Sequence, residues 1–365
     1  MDNSSNNPST VAGGGNTTTS SSNTSNSSSL ANNIPINMTA GLPTYYKNTV
    51  NGYLRNNLSK EIHSFISSGG KKTGFTNLDS IIGFLYPGLY VLGAGSSLGK
   101  TTFLLQMADQ LIDDLEPVLY FTMEQSQLEL VTKSLSRRTA LGCRRNPKMA
   151  KTAIQIRKGE ITQEVKDAVN DYVSVSDIFT IIQGDFQTDM AQIEMTVADY
   201  IKTTGQIPVI MVDYLQIVQE DTQVTDKAKI DMITKRLKIL QRKYNAVVIV
   251  ISSINRSNYM LPIDFESFKE SGSIEYSADV VWGLQLQILN DQAFTTAKNV
   301  SQRRKLIAAA KAASPRKVEL VCLKNRYGIA SYNCGFLYYP QYDLFTPDPN
   351  FKSSTMGCPT PQIII

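Results

Sequence analysis

The sequence contains a single histidine, His63, among 365 residues. Its four cysteines are Cys143, Cys322, Cys334 and Cys358, and no two of them form a Cys-x-x-Cys pair. This spacing excludes a disulfide scaffold and argues against a zinc ribbon. A mechanism that needs several histidines is excluded as well. We expect a reduced, cytoplasmic protein, because stable disulfides belong to oxidising compartments.

Long apolar runs are also missing. No stretch approaches the about 18 residues that a membrane-spanning helix needs. The amino terminus carries Asp2 and lacks the basic-then-apolar pattern of a signal peptide. Charge is nearly balanced, with 36 basic and 32 acidic residues, so net charge alone does not identify a nucleic-acid-binding protein. No membrane partner is expected.

Composition divides the chain into four parts. Serine, asparagine and threonine make up 25 of the first 40 residues, which predicts a disordered tail over residues 1–41. Within residues 42–69, apolar side chains recur at steps of three and four from Tyr46 to Ile66, which predicts a linker helix. Its apolar stripe could pack on its own domain or on a neighbouring subunit. The main domain is predicted over residues 70–346 and a C-terminal tail over 347–365.

Apolar strands alternate with helices in the main domain. This alternation predicts an α/β fold with a mainly parallel sheet that is covered on both faces. The predicted strands are 89–92, 118–122, 208–212, 246–252, 279–286, 318–323 and 332–338. The predicted helices are 101–115, 190–202 and 226–244. No helix separates the last two strands, so they are expected to form an antiparallel hairpin at the sheet edge.

A phosphate-binding loop follows the first strand and opens a helix. It fits the relaxed Walker A pattern, in which glycines let backbone N–H groups approach phosphate oxygens. Lys100 would reach the β- and γ-phosphates of ATP, and the hydroxyl of Thr101 would bind Mg²⁺. The predicted nucleotide-binding residues of this segment are Ala94, Gly95, Ser96, Ser97, Leu98, Gly99, Lys100, Thr101 and Thr102.

Two carboxylates follow buried strands and are expected at the same edge of the sheet as this loop. Asp213 ends the apolar run 209–212 and is the Walker B candidate, a second ligand for the metal held by Thr101. Glu124 comes two residues after strand 118–122. Its position fits a base that activates water. It fits equally well an acid in the first turn of the next helix, where the helix dipole favours negative charge.

Several motifs together resemble the C-terminal motor domain of the DnaB family of bacterial replicative helicases. The resemblance covers about residues 70–345, and the motifs occur in the family's order. They include 73–79 (TGFTNLD), 121–124 (FTME), 212–216 (VDYLQ), 252–256 (SSINR), 270–275 (ESGSIE) and 324–328 (KNRYG). The resemblance implies a RecA-like P-loop NTPase fold, a hexameric ring around single-stranded DNA, and ATP bound between subunits.

The resemblance also assigns roles to individual residues. Glu124 becomes the catalytic base. Lys324 and Arg326 match a Lys-x-Arg pair that reaches into the neighbouring subunit's ATP site, where a guanidinium stabilises transition-state charge. The implied DNA-binding residues are Arg256, Lys269, Glu270, Ser271 and Gly272.

The sequence departs from the family at two places. Ser253 stands where the family usually has a glutamine that senses the γ-phosphate, which predicts weaker coupling between hydrolysis and DNA. The family's helical N-terminal domain has no counterpart, so contacts with a loader or a primase through that domain are not implied. Such replication proteins remain further partner candidates for a motor of this type.

Basic residues cluster in two stretches without acids. Residues 130–159 contain nine lysines and arginines, among them Arg137 and Arg138, and residues 292–318 contain seven. Such stretches fit a polyanion partner, although they also fit solvated helix faces that are balanced by acids elsewhere in the fold. Two functions therefore stay open: an ATP-driven DNA helicase for replication, or a non-unwinding RecA-like DNA-binding ATPase or accessory module.

Overall fold

The computed structural model describes residues 49–67, 70–185, 187–216, 218, 225–255, 260–268 and 271–353. The chain divides into two compact units, one ending at Ser67 and one beginning at Ser68. The predicted tails fall mostly outside the described residues.

The first unit is helical in its described part. Its segments are α1 (Val50–Tyr53), a π-helical turn over Leu54–Leu58, and α2 (Ser59–Ser67). The hydroxyl of Thr49 accepts a hydrogen bond from the backbone N–H of Gly52 at 3.1 Å and so caps α1. Members of the predicted apolar stripe, among them Val50 and Leu54, are exposed. The predicted helix is thus present from Val50 onward.

The second unit is built on a nine-stranded sheet, counted over the described residues, with the order β3-β2-β4-β5-β1-β6-β7-β8-β9. The strands are β1 (Gly88–Ala94), β2 (Val118–Thr122), β3 (Phe179–Gln183), β4 (Val209–Asp213), β5 (Val247–Ser253), β6 (Val280–Leu286), β7 (Arg316–Asn325), β8 (Tyr332–Tyr339) and β9 (Leu344–Pro347). The first six strands pair in parallel, and the last three add antiparallel pairs. The predicted α/β fold with a mainly parallel sheet is confirmed.

Both edges of the sheet carry a strand that the sequence pattern did not predict. On one edge lies β3, and on the other β9 extends the predicted hairpin of β7 and β8 by a third antiparallel strand. Both are short, and β3 is only half-buried, so neither produces the continuous apolar run by which the other strands were recognised.

Helices cover both faces of the sheet. They are α3 (Thr76–Ile82), α4 (Lys100–Asp113), α5 (Gln127–Gly142), α6 (Ala153–Arg157), α7 (Gln163–Val173), α8 (Met190–Thr204), α9 (Asp226–Tyr244), α10 (Ser271–Ser277), α11 (Gln292–Thr295) and α12 (Val300–Ala312). Two apolar clusters, one on each face, form the core. On one face, the rings of Phe75 and Phe103 stack with their centroids 4.5 Å apart. None of the described helices is long and apolar enough to cross a bilayer.

Candidate nucleotide site

The phosphate-binding loop connects the buried strand β1 to the start of α4 at Lys100. Gly99 caps the helix with φ +84°, a left-handed conformation that favours glycine. A Cβ atom at Gly99 would also lie only 2.9 Å from the ring of Tyr338. The loop therefore needs glycine at this position for two reasons, and it directs the positive end of the α4 dipole toward the site.

Asp213 lies beside this loop at the end of β4 and is 1% exposed. Its Oδ2 accepts a hydrogen bond from the Tyr120 hydroxyl at 3.1 Å, whereas Oδ1 has no hydrogen-bond partner among the described residues. Burial raises the pKa of the Asp213 carboxyl, and the hydroxyls of Thr101 and Tyr120 and the charge of Lys100 act in the opposite direction. A buried carboxylate oxygen without a partner, close to a threonine hydroxyl, fits a hard cation such as Mg²⁺.

Glu124 lies at the same edge, exposed and two residues after the end of β2. Its negative charge contributes to the raised pKa of Asp213, after the larger effect of burial. Helix α5 begins only at Gln127, with Ser126 and Glu129 forming its capping box. The acid that serves the helix terminus is therefore Glu129, and Glu124 lies outside the first turn. The alternative prediction, an acid in the first turn of the next helix, is therefore wrong for Glu124.

Arg316 also lies at the phosphate-binding loop, and sequence reasoning did not single it out. Its NH1 donates to the backbone carbonyl of Ser97 at 2.7 Å. Its guanidinium lies 5.7 Å from the centroid of the Tyr338 ring. Because β7 is antiparallel to β6, the start of β7 lies at the carboxyl edge of the parallel strands, and this places Arg316 beside the loop.

The side chain of Thr102 points away from the phosphate-binding loop and Asp213. Its hydroxyl donates to Oδ1 of Asp343 at 2.9 Å in a buried network. The same network holds Arg137, whose guanidinium bonds Asp109 at 2.7 Å and the backbone carbonyl of Asp343. The hydroxyl of Thr102 thus fastens α4 to the segment before β9.

Ser253 ends β5 and pairs with Ala94, the first residue of the loop. Its backbone N–H donates to Oε1 of Gln216 at 3.1 Å. Of the predicted DNA-binding residues, Arg256, Lys269 and Glu270 lie outside the described residues. Ser271 and Gly272 begin α10.

Arg326 lies at the opposite edge of the sheet, just after β7. Its NH1 contacts Oδ1 of Asp279 at 3.2 Å, and its NH2 donates to the carbonyl of Tyr276, also at 3.2 Å. Asp279 is buried and also receives hydrogen bonds from Lys238 and from the backbone N–H of Leu89. Burial would raise the pKa of the Asp279 carboxyl, but these hydrogen bonds and the nearby cations lower it below its ordinary value.

Lys324 lies at the same edge, and its ammonium donates to the carbonyl of Glu275. Partial burial, together with the charge of Arg326, lowers the pKa of Lys324. Asn325 pairs with Val280, and Val280 pairs with Tyr90 on β1. Tyr90 is four residues before Ala94, so the edge that carries Lys324 and Arg326 is about 13 Å along the strand from the start of the phosphate-binding loop. The structure brings Lys100, Thr101, Asp213 and Glu124 together and places the Lys-x-Arg pair away from them.

The basic stretches are only partly available to a polyanion. Arg137 is 2% exposed, so a polyanion-binding role is wrong for this residue. Arg138 pairs with Asp113 and Asp171, each at 2.6 Å. This residue thus follows the alternative prediction, in which acids elsewhere in the fold balance the basic residues. Exposed basic residues are Arg144, Arg145, Lys148, Arg157 and Lys158 in the first stretch and Lys298, Arg304, Lys305 and Lys317 in the second.

Known proteins with similar sequences identify the family. Residues 70–346 match the family described as DnaB-like helicase C terminal domain. The chain belongs to this family. It is 25% identical to a probable replicative DNA helicase of Guillardia theta, over 62% of this chain and 37% of that protein. It is 28% identical to the replicative DNA helicase DnaB of Geobacillus stearothermophilus, over 58% of this chain and 46% of that protein. The chain thus spans less than half the length of these relatives.

Solved structures support the fold. A solved ATPase domain superimposes with a TM-score of 0.65 at 18% identity, covering 82% of this chain and 98% of that one. A DnaB-like replicative helicase, described with its interactions with primase, gives a TM-score of 0.62 at 18% identity over 82% of this chain and 66% of that one. At these identities the likeness establishes the RecA-like fold.

Proposed function

We propose that this protein is an ATP-hydrolysing motor that translocates on single-stranded DNA and unwinds duplex DNA during replication. The observation that supports it best is the buried Asp213 beside the phosphate-binding loop, with one carboxylate oxygen unpartnered among the described residues and the exposed Glu124 nearby. Membership in the DnaB-like family and the named activities of the relatives support DNA as the polymer on which the motor translocates.

Each residue of the site has a distinct task in this proposal. Backbone N–H groups of the loop and the amino terminus of α4 would hold the phosphates, and Lys100 would neutralise the β- and γ-phosphate charge. Thr101 and Asp213 would hold Mg²⁺, which neutralises charge on the phosphates when bound. Glu124, exposed at the same edge, would orient and deprotonate the attacking water.

The site would be completed by a second subunit. Arg326 lies at the opposite edge of the sheet from its own loop, so the proposed role for it is to stabilise charge in the ATP site of a neighbour. Head-to-tail repetition of such a contact closes into a ring when its rotation is a whole fraction of a turn, and the proposed assembly is the hexamer implied by the family. A primase is a candidate partner, since one of the similar helicase structures is described together with its interactions with primase.

A non-unwinding DNA-binding ATPase is the second candidate, favoured by Ser253 at the position where the family usually has glutamine. ATP-dependent strand displacement on a forked duplex separates the two. The proposed motor displaces the strand with ATP and Mg²⁺ but does not with a non-hydrolysable analogue, and Glu124→Gln abolishes displacement. DNA-stimulated hydrolysis without displacement would favour the second candidate. If the purified chain showed no hydrolysis with or without DNA, both would be wrong.

A further inference from the structure

The carboxamide of Gln216 lies between the carboxyl ends of β4 and β5. Its Oε1 accepts a hydrogen bond from the backbone N–H of Ser253 at 3.1 Å, and its Nε2 donates to Oγ of Ser252 at 2.9 Å. The preceding residue adds a backbone contact, since the N–H of Leu215 donates to the carbonyl of Ile251 at 2.9 Å. The segment that follows Asp213 is therefore bound to the last residues of the neighbouring strand by both main chain and side chain.

The end of β5 is in turn connected to the phosphate-binding loop. Ser253 pairs with Ala94, the residue from which that loop departs. Asp213 is three residues before Gln216, so one side chain links the residue proposed to hold the metal to the strand that borders the loop. A displacement of Asp213 or of the loop on nucleotide binding would reach Gln216 through contacts of hydrogen-bond length.

Beyond Ser253 the same strand contacts the segment that leads to Lys269. Ile254 forms an antiparallel bridge with Phe268, and the N–H of Asn255 donates to the carbonyl of Ser267 at 2.8 Å. The ring of Phe268 packs so closely on Gly93 that a Cβ atom there would lie 2.4 Å from it. Packed elements of this kind shift together, because close-packed interiors transmit displacement.

We propose that Gln216 is the positioning residue through which the state of the nucleotide site reaches the segment ahead of Lys269. This inference rests on the proposed function, since it assumes an ATP site at the loop and DNA near residues 269–272. A carboxamide suits the task because it accepts from one group and donates to another at the same time. Gln216 thereby supplies the bridging amide that Ser253, with its short hydroxyl, does not. The weaker coupling predicted from Ser253 alone stays the alternative, and the test decides between the two.

The test compares DNA stimulation of ATP hydrolysis in matched variants of the full chain. Gln216→Met keeps the length of the side chain and removes both hydrogen bonds. It should lower the ratio of rates with and without single-stranded oligodeoxythymidine about fivefold, while KM for ATP changes less than about twofold. Gln163→Met is the control, because the side chain of Gln163 bonds only the exposed Asp167 in the described structure. Its ratio should equal that of the unmodified protein.

Rescue distinguishes positioning from a general structural role. Ser253→Gln should raise the ratio in the Gln216→Met background, because it returns a carboxamide to the end of β5, and should change it little in the unmodified protein. An unchanged ratio in Gln216→Met overturns the inference. The inference is also overturned if Gln216→Met loses DNA stimulation together with a lower melting temperature and Ser253→Gln does not restore it. If the unmodified protein hydrolyses ATP but DNA does not stimulate it, the inference fails while the nucleotide site stands. If it does not hydrolyse ATP at all, the proposed function fails as well.

Discussion

The guanidinium of Arg326 is paired with the buried carboxylate of Asp279, with NH1 and Oδ1 3.2 Å apart. Lys238 contacts the other oxygen of the same carboxylate, so one acid holds two cations. These contacts hold the guanidinium of Arg326 at the edge of the sheet that is farther from its own phosphate-binding loop. The residue is thus held on the surface that a neighbouring subunit would meet, if the site is shared as proposed.

Asp279→Asn should destabilise the protein in a pH-dependent way. The change leaves the partly buried Lys238 without its partner, at a cost of about 3 kcal/mol near neutral pH. The pKa of Asp279 is below its ordinary value of about 3.9, so its stabilising effect is complete above that value and is lost as the pH falls through the lowered pKa. Urea unfolding at pH 6.5 and below about pH 3 should show the difference from the unmodified protein shrinking at the lower pH. Asp114→Asn, at an exposed acid, serves as the control, and a pH-independent difference would argue against the ion pair.

Glu124→Gln should separate nucleotide binding from turnover. The amide keeps the shape of the side chain and loses the base, so the turnover number should fall about 100-fold or more while affinity for ATP stays within about threefold. Lys100→Ala should instead weaken ATP binding, because it removes the cation of the loop. Fluorescent-nucleotide titration and steady-state hydrolysis measure the two effects. Normal turnover in Glu124→Gln would return this residue to a structural role.

Gly93→Ala should disturb the contact between β1 and Phe268. The new methyl group would meet the buried ring of Phe268, and overpacking of this kind costs about 1–3 kcal/mol. Gly142→Ala is the matched control, since a Cβ atom there has nothing within 4 Å and the residue ends α5. Thermal melts of the two variants should therefore differ clearly. Equal stability would mean that the ring moves aside without strain.

Arg137→Ala should be strongly destabilising, by about 3–5 kcal/mol, because it leaves the buried Asp109 carboxylate without its partner. Arg145→Ala removes an exposed arginine from the same basic stretch and should change stability by no more than about 0.5 kcal/mol. Urea denaturation measures both. A small effect of Arg137→Ala would show that water reaches Asp109 once the guanidinium is gone.

Local patterns predicted most of the sheet. The bounds of β2 and α9 match the structure, and those of the other predicted strands differ by no more than two residues at either end, because continuous apolar runs and helix periodicity are local signals. The same reason made the phosphate-binding loop, Asp213 and Glu124 predictable. Each follows a recognisable strand, and the carboxyl ends of the strands of a parallel sheet share an edge.

The rest depends on contacts between distant parts of the chain. Arg316 meets Ser97 across 219 residues, and Thr102 meets Asp343 across 241. No local pattern carries such pairs. The sequence predicted that β7 pairs antiparallel with β8, but it did not predict the direction of β7 relative to β6. The antiparallel pairing of β7 with β6 brings Arg316 to the loop and places Arg326 at the other edge of the sheet.

The two arginines also provide the most direct test of a site shared between subunits. Arg326→Ala and Arg316→Ala should each reduce ATP hydrolysis, the first because a neighbour loses its arginine and the second because the subunit's own loop is disturbed. Each is mixed with Asp213→Asn, which has lost its own site but keeps Arg326. The mixture with Arg326→Ala should recover activity, because some interfaces combine an intact Asp213 with an intact Arg326.

The mixture with Arg316→Ala should gain no activity over its parents, because Arg316 acts within the subunit that binds ATP and no interface then carries a complete site. The decisive measurement is the hydrolysis rate per subunit across the mixing ratio. The account predicts a maximum near equal amounts for Arg326→Ala with Asp213→Asn and no maximum for Arg316→Ala with Asp213→Asn. A rate that only interpolates between the two parents in both series would contradict a shared site.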